Sequence, residues 1–251
     1  MAILNINPNE NQYGLKYGYA EQLNLSGISV GTDDLILHFL LKNYNQEVAF
    51  VKKTGALQYF ITFGDNTFAD NVQVYNQYAA PDVYLGIVGV GNLAIANNNR
   101  IIERMYKNGL DVMVLIRELS YRVMINGHDT FGAAKAAHNA TTQRLRMLSN
   151  NIVGGISTPG VGCLLKIYTG DLSGFSDADM LVIHRKYLRH PMITPTELAA
   201  YLKFKFTGRK QDGSQILAAD TNVYNEVNGE ALAIQGGLNW GQAREQVWQP
   251  R

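Results

Sequence analysis

Residues 110–125 read LDVMVLIRELSYRVMI, and the fold class turns on whether they form strands or a helix. Val112, Val114 and Ile116 give the stretch the β-branched density of a strand. Yet Val112, Leu115, Ile116, Leu119 and Val123 also fit one helical face, and periodicity leaves both readings open. Its flanks read as helical. Upstream, residues 93–107 form a predicted helix with Gly109 at the expected C-terminal stop. Downstream, the alanine-rich segment 131–149 is a predicted helix with Arg144 and Arg146 near its C-terminal end.

Further out the pattern changes. Residues 83–90, VYLGIVGV, read as a buried strand. Residues 47–63 read as a hairpin around Thr54-Gly55, with Leu57, Tyr59, Ile61 and Phe63 recurring at period two. The polar segment 64–81 is long for a loop and has room for a strand in NVQVY. Thr32 reads as an N-cap before Asp33 and Asp34, opening a short helix with Leu35, Ile36, Phe39 and Leu40 on one face.

In the second half, the glycine-rich stretch VGGISTPGVG precedes a predicted strand at 163–168. Ser176 and Asp179 make a capping box that opens a helix over 177–189. Thr194-Pro195-Thr196-Glu197 predicts a further helix to about Phe204. VYNEV-NG-EALAI reads as a hairpin on a type I′ turn. No repeat of 20–50 residues is visible. Together these readings predict an α+β fold, with mixed or antiparallel sheet elements near both ends and a helical middle. Residues 1–31 and 235–251 form extended N- and C-terminal arms around a single body at 32–234, with a sub-boundary near 150–160.

Charged residues are only 17% of the 251-residue chain, below the roughly 25% usual in soluble domains. Amides take their place, with 23 Asn and 13 Gln. Amides and tyrosines hydrogen-bond without the desolvation cost of a charge, so they suit surfaces buried between subunits. The net charge of +1 gives no whole-chain electrostatic case for nucleic acid. The single cysteine, Cys163, excludes an internal disulfide or a cysteine-based zinc cluster. The first residues, MAILNINPNE, show neither a basic leader nor a long apolar stretch, and no apolar run reaches membrane-spanning length. Folding in a reducing cytoplasm, with no membrane partner, is the expectation.

Gly89-Val90-Gly91-Asn92-Leu93-Ala94 matches G-x-G-x-x-A between a predicted strand and helix. Over residues 83–116 it resembles the dinucleotide-binding fingerprint of the Rossmann family. That resemblance implies a nucleotide phosphate held by Gly89, Gly91 and Ala94, with Arg117 placed to face a 2′-phosphate. The alternative is a glycine-rich turn that packs a helix on a strand.

The five histidines, His38, His128, His138, His184 and His190, lack metal-site spacing. No metal, cofactor or catalytic residue is predicted. His184 and His190, with Arg185, Lys186 and Arg189, read as cations complementing a helix C-terminus, or as a phosphate-binding patch. His128-Asp129, after Asn126-Gly127, lacks a nucleophile beside it. There is no G-x-S-x-G elbow and no P-loop.

Both terminal arms carry large aromatics without a core pattern. Tyr13, Tyr17 and Tyr19, with Trp240 and Trp248, are candidate anchors at subunit interfaces. With low charge, abundant Asn, Tyr and Gly, and no enzyme signature, the chain resembles the virion structural proteins of large tailed bacteriophages. The resemblance implies a non-enzymatic subunit of a tail, neck or baseplate. Its partners would be copies of itself and other virion proteins, and it would be assembled in the host cytoplasm.

Overall fold

The computed structural model describes residues 13–16, 23–24, 32–42, 58–64, 71–79, 82–88, 95–96, 110–134, 144–147, 161–207, 212, 214, 222–233 and 239–242. Its strands, in chain order, are β1 (Tyr13–Lys16), β2 (Leu23–Asn24), β3 (Asp34–Lys42), β4 (Gln58–Gly64), β5 (Asn71–Ala79), β6 (Asp82–Val88), β7 (Ile95–Ala96) and β8 (Leu110–Ile116). They continue with β9 (Ser120–Ile125), β10 (His128–Ala134), β11 (Arg144–Met147), β12 (Val161–Gly170), β13 (Leu202–Phe206), β14 (Asn222–Tyr224), β15 (Ala231–Ala233) and β16 (Asn239–Gln242). One α-helix, α1 (Asp177–Tyr187), and a 3₁₀ turn at Thr196–Tyr201 complete the described elements.

An eight-stranded sheet runs β10-β9-β8-β3-β12-β1-β16, with β13 also paired to β12. A six-stranded sheet runs β2-β11-β4-β5-β6-β7. Every pairing among the described strands is antiparallel. The predicted α+β fold with a helical middle is therefore corrected to a sandwich of antiparallel sheets. Within the predicted helix at 131–149, the described residues 131–134 and 144–147 are strand, in β10 and β11. The short helix after Thr32 is β3, and residues 95–96 of the predicted helix 93–107 are β7. The helix predicted to reach Phe204 is a 3₁₀ turn followed by β13.

The centre of the large sheet explains these differences. On β3, Leu35, Leu37 and Phe39 face one side while Ile36, His38 and Leu40 face the other, and all six are buried. On β8, Val112, Val114 and Ile116 alternate with Asp111, Met113 and Leu115, and these too are buried. A strand covered on both faces has no polar alternation, so it reads as a continuous apolar run that also fits a helical face. The ambiguous stretch 110–125 is two strands, β8 and β9, paired from Val112↔Ile125 to Ile116↔Tyr121.

The two faces have different covers. Ile36, Met113, Leu115, Met124 and Tyr168 pack with Met180 and Ile183 of α1, together with Leu172 and Leu198. On the opposite face, Leu37, Phe39, Val114, Val123, Leu165, Ile167, Phe204 and Phe206 are equally buried. Burial of that depth needs a covering layer, as a second sheet provides in a β-sandwich. Each fully buried Leu, Ile or Phe contributes roughly 1.5–3 kcal/mol.

The helix start is as the sequence predicts. The Ser176 hydroxyl accepts from Asp179 N at 3.2 Å, and the Asp179 carboxylate accepts from Ser176 N at 2.9 Å. The tightest turn among the described residues, however, is not the predicted one. A type I′ turn needs positive φ at both central residues. Asn126 and Gly127 have it, at 51° and 76°, and join β9 directly to β10. At Asn228-Gly229 only Gly229 has it, at 77°, and the connection is a longer loop closed by Asn225 N donating to Glu230 O at 2.9 Å.

Gly127 also lies against α1, where an added Cβ would come within 3.2 Å of Arg185 Cγ and Leu188 Cδ2. Gly127→Ala is therefore expected to destabilise the chain by about 1–2 kcal/mol, through positive φ and this contact. Urea denaturation of the two proteins measures the difference.

Candidate functional site: a buried histidine–aspartate cluster under helix α1

Polar residues interrupt the apolar layer between the large sheet and α1. The register sets His38 of β3 beside Lys166 of β12 and Met113 of β8, and Leu40 beside Asp111. His38, Lys166 and Asp111 thus share the face that α1 covers. His184 belongs to the inward stripe of α1 with Met180 and Ile183.

The Asp111 carboxylate collects both imidazoles. His38 Nε2 lies 2.6 Å and His184 Nε2 2.9 Å from the same oxygen, Oδ1. The two rings meet edge to face, with centroids 5.8 Å apart. Relative exposure is 3% for His38, 0% for Asp111 and 2% for His184, so water has no ready approach. Burial pushes the Asp111 carboxyl up, but His38 and His184 outweigh it and hold the group below the usual carboxylate range. Burial pushes His38 down against the opposing pull of Asp111. An ionised carboxylate only accepts, so both Nε2 atoms donate. His38 Nδ1, His184 Nδ1, Asp111 Oδ2 and the Tyr168 hydroxyl have no hydrogen-bond partner among the described residues.

Lys166 is the second buried charge on this face. Its ammonium donates to Pro191 O at 2.5 Å and Ile193 O at 2.7 Å, fixing the segment after α1. Burial lowers its pKa to about 7; Asp111 and Glu226 oppose this, and Lys205 adds to it.

The ends of α1 are tied down by arginines. Arg117 donates to Asp34 at 3.2 Å, to Leu172 O at 3.3 Å and to Phe175 O. Arg122 reaches Asp177 at 3.0 Å, and Arg185 donates to Gly127 O at 2.6 Å. Arg117 is thereby engaged in holding the helix start, instead of facing a nucleotide 2′-phosphate. The basic helix end is likewise dispersed: His184 turns inward, Arg185 bonds the turn and Lys186 pairs with Glu197 at 2.6 Å.

The remaining sequence candidates separate. Gly89, Gly91 and Ala94 lie outside the described residues, as do Tyr17, Tyr19 and Trp248. The Rossmann pattern needs parallel strands linked through a helix. Here β6 pairs antiparallel with β5 and β7, while β8 lies in the other sheet. Tyr13 and Trp240 stand in β1 and β16, which pair with each other in the register Tyr13↔Gln242 and Leu15↔Trp240. β1 also pairs with β12, so both terminal segments join the large sheet at these positions. Among the described residues, no helix is long and apolar enough to cross a membrane.

Sequence reasoning misses the cluster. Its signal is present: His38 stands inside LILHFLL, Asp111 opens DVMVLI, and His184 follows Ile183 on the apolar stripe of a helix. A polar residue inside an apolar run must find a partner. Each histidine is separated from Asp111 by 73 positions, and no local pattern joins them.

No family model matches the chain, and no curated protein matches it in sequence. Solved structures share its fold. A candidate carbohydrate-binding protein from Bacteroides ovatus aligns over 92% of this chain and 60% of its own, with a TM-score of 0.60 and 8% identity. Tailspike protein 2 of an Escherichia coli bacteriophage aligns over 77% of this chain and 26% of its own, with a TM-score of 0.54 and 11% identity. A heptameric SAP-like pentraxin from Limulus polyphemus aligns over 72% of this chain and 83% of its own, with a TM-score of 0.50 and 10% identity. The chain thus spans about 60% and 26% of the length of the first two. At these identities the likeness defines a fold, the antiparallel β-sandwich.

The buried charges set two expected outcomes. Asp111→Ala leaves two buried imidazole donors without an acceptor and is expected to cost about 3–5 kcal/mol in urea denaturation. For Lys166, the unfolded chain holds the proton more tightly than the folded one. Its contribution therefore makes stability rise with pH between about 7 and 10.5. Lys166→Met is expected to flatten that rise, by up to about 1.4 kcal/mol per pH unit, in denaturation curves of the two proteins across the same window.

Proposed function

We propose that this chain is a non-enzymatic β-sandwich subunit of a tailed-bacteriophage virion, in its tail, neck or baseplate, that acts by making contacts. The observation that carries the reading is the fold, an antiparallel sandwich of the kind found in a phage tailspike protein. Composition supports it: low charge and abundant amides suit surfaces that become buried between subunits.

Assembly would use the terminal segments. β16 ends the order of the large sheet, and an edge strand can accept a strand from a neighbour. Trp240 and Trp248, with Tyr13, Tyr17 and Tyr19, are the proposed anchors. Light scattering across a concentration series is expected to give a homo-oligomer. The double variant Trp240→Ala/Trp248→Ala is expected to weaken association at least about tenfold while keeping the β-sheet circular dichroism spectrum. A wild-type chain that stays monomeric throughout the series contradicts the assembly reading.

A second reading, favoured by the likeness to the Bacteroides ovatus protein, is that the contact surface recognises carbohydrate. Titration calorimetry against bacterial surface polysaccharides separates the two. Saturable binding by the isolated chain supports recognition, and its absence across the panel removes it.

A further inference from the structure

The geometry points to His38, Asp111 and His184 as the ligands of one divalent transition-metal ion, zinc by donor type, that staples α1 to the large sheet. This inference is independent of the function proposed above. The candidate ligand atoms of the three residues all lie within 4.8 Å of one another. They come from three elements, β3, β8 and α1, so one ion would cross-link a helix to two neighbouring strands.

The arrangement is that of a ligand set. Both Nε2 atoms converge on Asp111 Oδ1, at 2.6 and 2.9 Å, while Oδ2 has no partner among the described residues. One carboxylate oxygen has two lone pairs and can accept from both imidazoles. Their convergence on it also gathers all three ligand groups at one point, as ligands around a common centre are gathered. Zinc bonds of roughly 2.0–2.2 Å place neighbouring tetrahedral ligands about 3.3 Å apart. The two nitrogen–oxygen spacings reach that value by opening about half an ångström, while the set as a whole, which spans up to 4.8 Å, would have to draw the imidazoles together around the ion.

Metal binding needs a bare Nε2 on each imidazole, so each proton must move to Nδ1. The tautomer change breaks no other hydrogen bond among the described residues, and each buried Nδ1–H then needs an acceptor, such as a water, that no described residue supplies. Asp111 Oδ2 and the Tyr168 hydroxyl, both buried without a partner among the described residues, are available to a fourth position or to a water held there. Lys166 stands on the same face, but its ammonium is bonded to Pro191 O and Ile193 O.

Such an ion would matter to folding. α1 has 11 residues and buries only Met180, Ile183 and His184. A helix of that length has little stability of its own, and its position depends on tertiary contacts. Metal affinity at His184 would become folding free energy. Because the cluster is sealed, loading would accompany folding.

The test uses the full chain, unfolded and refolded either with zinc or with a chelator, then desalted. Elemental analysis is expected to find one zinc per chain, and refolding with cobalt to give a visible d–d absorption band. His184→Gln and Asp111→Asn, each close in shape to the native residue, are expected to retain below about a tenth of the wild-type zinc. His128→Ala and His190→Ala are expected to retain all of it. The proposal is overturned if wild-type protein refolded with zinc retains less than about a tenth of an equivalent, or if a folded His184→Gln or Asp111→Asn variant keeps its zinc. If neither variant folds, the wild-type melting temperature decides. A higher value with zinc than with chelator supports the site, and equal values overturn it.

Discussion

Asp111 holds a negative charge in the layer between a β-sheet and a helix, and the packing around it must satisfy that charge. A carboxylate in such a place costs several kcal/mol unless donors replace the water it has lost. The two imidazoles do this from opposite sides of the layer, His38 from the sheet and His184 from the helix. Hydrophobic contacts alone would allow α1 to slide or rotate over Met113, Met124 and Tyr168. Two directional bonds to one oxygen restrict it to one placement. Arginines bonded to Asp34, Asp177 and the Gly127 carbonyl then hold its ends from the rim.

The large sheet makes this possible because both of its faces are covered. One face is apolar throughout its centre and buried. The other carries the polar cluster and is closed by α1, the 3₁₀ turn and the Lys166-bonded segment between them. The glycine of the Asn126-Gly127 hairpin allows close approach: Arg185 reaches the Gly127 carbonyl because no side chain intervenes. A single glycine thus serves both the turn between β9 and β10 and the seat of the helix above it.

Several features are legible in the chain. The capping box at Ser176 and Asp179 acts within four residues, and the helix opens there as expected. The strands at β6 and β12 are short apolar runs bounded by turn residues, and both stand. β3 and the segment 131–149 mislead for different reasons. β3 is buried on both faces, which erases its period of two. In β10 and β11, pairing with β9 and β4 overrides the helical preference of an alanine-rich sequence. The Asn-Gly signal occurs three times; of the two within the described residues, at 126–127 and 228–229, only the first is a two-residue turn. The dipeptide permits the turn; the register of the flanking strands chooses it.

Local chemistry is therefore written directly in the chain: where α1 begins, which dipeptides can reverse direction, and which segments are too apolar to remain at a surface. Those properties depend on neighbours a few residues away. That the apolar runs become strands, that two sheets stack, and that His38, Asp111 and His184 meet are decided in three dimensions. These outcomes depend on pairings tens of residues apart in sequence. Their free energy comes from burying surface and satisfying a charge, neither of which exists until the layers close.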